Sequence, residues 1–222
     1  MRGLAAEFRI LSIFLEARDM QEQISFPGSD SSPRPVRPVD PTDKLFFAVM
    51  PEASAAVRIR QLAQDLRLQH ALRGLALPAG QLHISLVGLG NHVGLPLNLS
   101  EATEAVSQLA QNAFKVQFNN VLSFRYKSRI SGGYPFVLCG DEGVIGLETL
   151  HQGLMDALSH TRFRGMRGSF TPHVTLLYDY RQVSAHTVDP IEWRVHEFVL
   201  LRRHINQHRP YSVLGRWPLL SK

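Results

Sequence analysis

The sequence is poor in cysteine, in lysine and in long apolar runs. Cys139 is the sole cysteine among 222 residues, so no internal disulfide can form. Its neighbours in PFVLCG are apolar, which reads as a buried strand thiol. A chain without disulfides suits a reducing compartment, and the cytoplasm is the expected location. No apolar stretch approaches the roughly 20 residues that a membrane-spanning helix needs, so no membrane is expected. The opening MRGLAAEFRILSIFLEAR has a six-residue apolar core with Glu7 and Arg9 just before it, a poor signal peptide. The glycines of LVGLGNHVGLP lack a Gly-Lys-Ser/Thr, which excludes a phosphate-loop reading. His204 and His208 in HINQH lack the helical frame and the glutamate of a zinc-protease motif, so no metal is expected.

What is present is ordinary globular composition with a basic balance. Hydrophobic residues make up 44% and charged residues 19%, enough for one large domain or two small lobes. Net charge is +5, and of 24 basic residues only Lys44, Lys115, Lys127 and Lys222 are lysine. Arginine meets phosphate with a planar fork that lysine lacks. The balance points to an anionic partner, although GC-rich genomes favour arginine anyway.

Residues 21–43, QEQISFPGSDSSPRPVRPVDPTD, hold five prolines and little that can enter a core, and read as a disordered linker. Before them, Leu4, Phe8, Leu11 and Leu15 fall on one stripe of a short predicted helix. Residues 1–43 are thus expected to be an extension and 44–222 the working domain. From Lys44 the periodicity predicts a strand KLFFAVM, a helix over 52–70 with Val57, Leu62 and Leu66 near one face, and a strand QLHISLVGLG. A helix over 98–112 with Ser100 as N-cap follows. Strands come next near 114–126 and 134–139, then a helix over about 143–159. FTPHVTLLYD, IEWRVHEFVLLRR and RPYSVLGRWPL are the last predicted strands.

A repeat lies in this order. A shift of 90 residues lays His83 on His173, Ser85 on Thr175, Leu86 on Leu176 and Phe46 on Phe136. Two strand–helix–strand units end in the same signature, His-x-Ser/Thr-Leu. Residues i and i+2 of a strand share a face, so each motif sets an imidazole beside a hydroxyl. Ile84 and Val174 point the other way. One such tripeptide means little, but two in matching frames place two histidines and two hydroxyls around one small anion. That set suits phosphodiester chemistry without metal or cofactor. One neutral histidine takes a proton, the other, protonated, gives one, and the Ser85 and Thr175 hydroxyls donate to the non-bridging oxygens. Tyr178 is expected on the opposite face, in core or edge packing.

With LFFAVMPEA, LHISLVGLG, FTPHVTLLYD and the closing Tyr211, Leu214 and Trp217, residues 44–220 resemble the two-histidine phosphoesterase superfamily. The resemblance is strongest to its RNA 2′,3′-cyclic phosphodiesterases, often labelled 2′-5′ RNA ligases. It implies an α+β fold of two pseudo-symmetric lobes, with antiparallel sheets and flanking helices around a central cleft. It also implies a monomer acting on RNA or a nucleotide bearing a 2′,3′-cyclic phosphate. His83 and His173 would be catalytic, and Ser85 and Thr175 would bind phosphate. Many relatives have arginine where Thr171 stands. Arg129 is the favoured substitute for that charge, alongside Arg125, Lys127, Arg162, Arg164 and Arg167. A non-catalytic RNA-binding module on the same fold, and a cyclic phosphodiesterase for a small nucleotide, are the competing readings.

Overall fold

A computed structural model describes residues 39–128, 132–140, 143–163, 170–205, 207 and 210–221. The elements run β1 (Asp43–Val49), α1 (Ala53–Gln69), β2 (Ile84–His92), α2 (Leu99–Ser107), β3 (Phe114–Ser123), β4 (Tyr134–Cys139), α3 (Ile145–Leu158), β5 (His173–Asp179), β6 (His186–Val195), β7 (Glu197–His204) and β8 (Ser212–Pro218). They form two four-stranded sheets, β2-β1-β7-β8 and β5-β4-β3-β6, with every neighbouring pair antiparallel. The fold is the α+β arrangement that the sequence implied.

Each sheet centres on a strand buried on both faces. In β1, Leu45, Phe47 and Val49 join the main core, while Phe46 and Ala48 pack with Val199 and Leu201 on the other side. The helices cross between the lobes. α1 links β1 to β2 yet approaches β5 and β6, and α3 links β4 to β5 yet approaches β2. One apolar core therefore runs through both halves.

Several elements depart from expectation. The buried face of α1 is Ala55, Ala56, Ile59, Ala63 and Leu66, with Val57 at 65% exposure. Small alanines let the helix approach the sheet closely, which a large-apolar stripe would not signal. α2 starts at Leu99 with Asn98 at its N-cap, so Ser100 lies inside the first turn. There the Ser100 carbonyl accepts a bond from the Thr103 hydroxyl at 3.0 Å. The segment read as one strand, IEWRVHEFVLLRR, is two strands that break at His196 and belong to different sheets. In β6, Ile191, Trp193 and Val195 alternate with exposed residues, whereas in β7 Phe198 through Leu201 are all buried. The period changes from one covered face to two as the chain crosses between lobes.

The repeat is also offset. Phe47 faces Val87 across the first ladder, and Phe136 faces Leu177 across the second. Phe47 is therefore the counterpart of Phe136, and Phe46 corresponds to Pro135. The second unit holds one more residue between its paired positions.

The folded domain is expected from the sequence to begin at Lys44, but Asp43 already belongs to β1. Asp43 opens β1 at 1% exposure, and its carboxylate accepts bonds from Arg202 Nε at 2.7 Å and Thr42 Oγ1 at 2.6 Å. His204 Nδ1 lies 2.9 Å from the same carboxylate. The hydrogen bond from Arg202, working against burial, holds the Asp43 pKa down at about 2. The lower pKa belongs to the folded state, so this stabilisation is complete above the unfolded value near 3.9 and fades as pH falls through about 2. A chain starting at residue 39 should keep it, while one starting at residue 44 should lose about 3 kcal/mol. Urea unfolding at pH 7 measures the gap, which should close between pH 4 and 2. Equal stability of the two chains at pH 7 would contradict the boundary.

Candidate active site

The two motifs reach the same cleft by the same local device. His83 sits just before β2, and its Nδ1 lies 2.8 Å from the Gln81 carbonyl oxygen. His173 opens β5, and its Nδ1 lies 2.7 Å from the Thr171 carbonyl oxygen. Each ring thus donates Nδ1–H to the carbonyl two residues earlier, which assigns the tautomer and leaves Nε2 as the free acceptor. Aromatic rings back both imidazoles. Phe46 and Tyr211 each lie 5.2 Å from His83 between ring centres, and Phe124 lies 4.8 Å from His173.

A β-bulge closes each motif. Ala48 pairs with Ser85 and Phe47 with Val87, so Leu86 is the extra residue. Val137 pairs with Thr175 and Phe136 with Leu177, so Leu176 is the extra one. An inserted residue reverses the alternation beyond it. Tyr178 is thereby turned onto the face of His173 and Thr175, against the sequence parity, and it lines the cleft. Both bulge carbonyls find partners. Leu176 O accepts from the Leu77 backbone N–H at 2.8 Å, and Leu86 O lies 3.1 Å from His151 Nδ1 on α3.

The cleft has a volume of about 210 Å³. Beside His83 and Ser85 the first lobe contributes Lys44, Phe46, Arg203 and Tyr211. Beside His173 and Thr175 the second contributes Ser128, Pro135 and Tyr178. Lys44 and Arg203 are directly paired across β1 and β7, so two cations share one wall. Burial lowers the Lys44 pKa, and Arg203 adds to the effect. Burial is also the main cause that pulls His83 down to about 4. The Gln81 carbonyl opposes it, while His173, Lys44 and Arg203 add to it. His173 is lowered by burial too, with the Thr171 carbonyl opposing. The cleft thus gathers two imidazoles that burial biases toward the neutral form, two hydroxyls and two cations.

The four motif residues are thus gathered in one place. Arg129, Arg164 and Arg167 lie outside the described residues, as does His208. Arg125, Lys127 and Arg162 are exposed and do not line the cleft. Among the described residues the cations on its wall are Lys44 and Arg203, which sequence reasoning missed. Lys44 stands two residues before Phe46, a same-face signal, but Arg203 needs the β1–β7 pairing. His204 pairs with Asp43. Among the described residues no group of three or more His, Cys, Asp or Glu side chains stands together as metal ligands. No helix among them is long and apolar enough to cross a membrane.

The His151 bond should be measurable as stability. His151→Phe keeps an aromatic ring against Phe170, which now stacks at 4.2 Å, and removes the donor to Leu86 O. A buried carbonyl left unpaired should cost about 1–3 kcal/mol in denaturant unfolding. No loss would show that the bulge stands without the brace.

Comparison with known proteins agrees with this geometry. The structure of E. coli LigT in apo form superposes with a TM-score of 0.62 at 23% identity, over 81% of this chain and 99% of that one. TT0787 of Thermus thermophilus gives 0.62 at 22% identity, over 79% and 97%. At these identities the likeness establishes the fold. No curated protein sequence matches. The family model for the 2′-5′ RNA ligase superfamily matches residues 51–207, spanning both histidine motifs, and the chain belongs to that superfamily.

Proposed function

We propose that the protein is a metal-independent phosphodiesterase that opens 2′,3′-cyclic phosphates of RNA or nucleotides to 2′-phosphomonoesters. The observation that carries this reading is the matched pair of imidazoles. Each has Nδ1 tied to a backbone carbonyl, and they share one cleft with two hydroxyls and two cations. Structures of E. coli LigT have been determined with 3′-AMP, with ATP and with NADP+. A nucleotide phosphate is the ligand proposed here.

His83 is assigned as base, because burial and the nearby charges of His173, Lys44 and Arg203 keep it neutral. Its Nε2 takes a proton from water as the water oxygen bonds to phosphorus. The P–O3′ bond breaks, and His173 in its imidazolium form gives a proton to O3′. The phosphate remains on O2′. Bound phosphate supplies the negative charge that favours protonated His173. Ser85 and Thr175 donate to the non-bridging oxygens, and Lys44 and Arg203 offset their growing charge. A 5′-hydroxyl in place of water would leave a 2′-5′ linkage by the same step.

The pH dependence of kcat/KM with a 2′,3′-cyclic nucleotide tests the assignment. The rate should rise as His83 loses its proton above about pH 4. It should fall as His173 loses its own below the ordinary histidine value near 6.5, giving an acid-side bell. Replacing either histidine with alanine should cost roughly 10²–10⁴-fold in turnover, and the double variant far less than the product. EDTA should change nothing. Loss in EDTA with rescue by zinc or manganese would end the two-histidine mechanism, and absence of turnover on any cyclic phosphate would favour a binding module.

A further inference from the structure

Two segments run out of the cleft on the second lobe, and both carry exposed aromatic and basic side chains. The first leaves β3 at Phe124, whose ring packs on His173, passes Arg125, Tyr126 and Lys127, and returns to the cleft wall at Ser128. Tyr126 is 83% exposed. The second continues β5, an edge strand, from Tyr178 in the cleft to Tyr180, which is 73% exposed, and on to Arg181.

The two segments are held side by side. Lys127 Nζ lies 5.3 Å from the Tyr134 ring centre and 5.9 Å from that of Tyr180, within cation–π range of both. The Gln182 side-chain amide donates to the Phe124 carbonyl at 3.3 Å. Among the described residues no ion pair involves Arg125, Lys127 or Arg181. Asp179, which precedes Tyr180 and Arg181, is buried, and its carboxylate accepts bonds from the backbone N–H groups of Arg73, Gly74 and Arg181.

Large rings left in water beside cations that form no ion pair among the described residues, continuous with the cleft, match how single strands are held. Bases stack on the rings while the cations follow the backbone. We infer that Tyr126 and Tyr180, with Lys127 between the two segments, form a subsite for the nucleotide on the 5′ side of the one that carries the reacting phosphate. The preferred substrate is then a single-stranded oligonucleotide. This rests on the phosphodiesterase reading only for the identity of the reacting group. Tyr180 directly follows the last residue of β5, Asp179, and stands two positions beyond Tyr178 of the cleft wall, so a chain anchored in the cleft meets the second ring as it leaves.

Binding tests this apart from turnover. Fluorescence anisotropy with a 5′-labelled tetraribonucleotide 3′-phosphate, competed by a nucleoside 3′-monophosphate, gives the ratio of the two affinities. The tetranucleotide should bind at least about tenfold tighter, and Tyr126→Ala or Tyr180→Ala should each cut the ratio about 5- to 100-fold. Phenylalanine at either position should preserve it. Lys127→Ala should lower the slope of log affinity against log salt by about one. Equal affinities in the unaltered protein, or alanine variants with an unchanged ratio, would overturn the subsite. If the tetranucleotide binds through these rings but no cyclic phosphate is turned over, the subsite stands and the phosphodiesterase reading falls. Turnover of cyclic mononucleotides and oligonucleotides with equal kcat/KM, without the affinity ratio, would do the reverse.

Discussion

A strand alternates its side chains between two faces, and one inserted residue reverses that alternation for everything beyond it. The architecture depends on that constraint at two matched places. Leu86 and Leu176, the closing leucines of the two motifs, are the extra residues. Before each bulge the histidine and hydroxyl face the cleft; beyond the second, Tyr178 does so as well. The carbonyl groups of the two bulge residues face away from the ladders of these edge strands toward partners elsewhere in the chain. A buried carbonyl without a partner costs free energy comparable to a lost hydrogen bond. The Leu77 N–H and the His151 ring satisfy them. Those donors come from the far connections, since Leu77 precedes the first motif and holds the second, while His151 precedes the second and holds the first. The two halves are braced against one another at the residues nearest the chemistry.

The electrostatics of the cleft follow from that placement. Burial removes water from both imidazoles and favours their neutral forms. Lys44 and Arg203, paired across β1 and β7, push His83 further the same way. The cations that would hold phosphate thus also bias the nearer histidine toward the base. His173 is lowered by burial, with the Thr171 carbonyl opposing. A near-symmetric scaffold thereby gives its two histidines unequal environments, and the proposed acid–base roles rest on that difference.

The sequence was legible where the physics is local. Strand parity and the repeated His-x-Ser/Thr-Leu sufficed to bring His83, Ser85, His173 and Thr175 together, and helix periodicity located all three helices, although α2 ends at Ser107 rather than at 112. It was not legible where distant pairing decides. Arg203 enters the cleft because β7 lies beside β1, and nothing near Arg203 in the chain announces this. Tyr178 was misplaced because parity was carried through a bulge. The consecutive Leu176 and Leu177 were the signal that two neighbouring residues both face the core. The merged strand over 191–203 hid a change of sheet that only the shift from alternating to continuous burial reveals. Asp43 looked like the tail of a proline-rich linker until Arg202 and His204 were seen to close on it.

The central claim is that both imidazoles present Nε2 to one phosphate. Titration with a nucleoside 2′-monophosphate, followed by nitrogen-15 NMR of the histidine rings, tests it most directly. The account predicts that His83 and His173 both carry hydrogen on Nδ1 in the free protein. It further predicts that both Nε2 resonances shift together along one saturation curve. A response from one ring alone, or two curves with different midpoints, would contradict it.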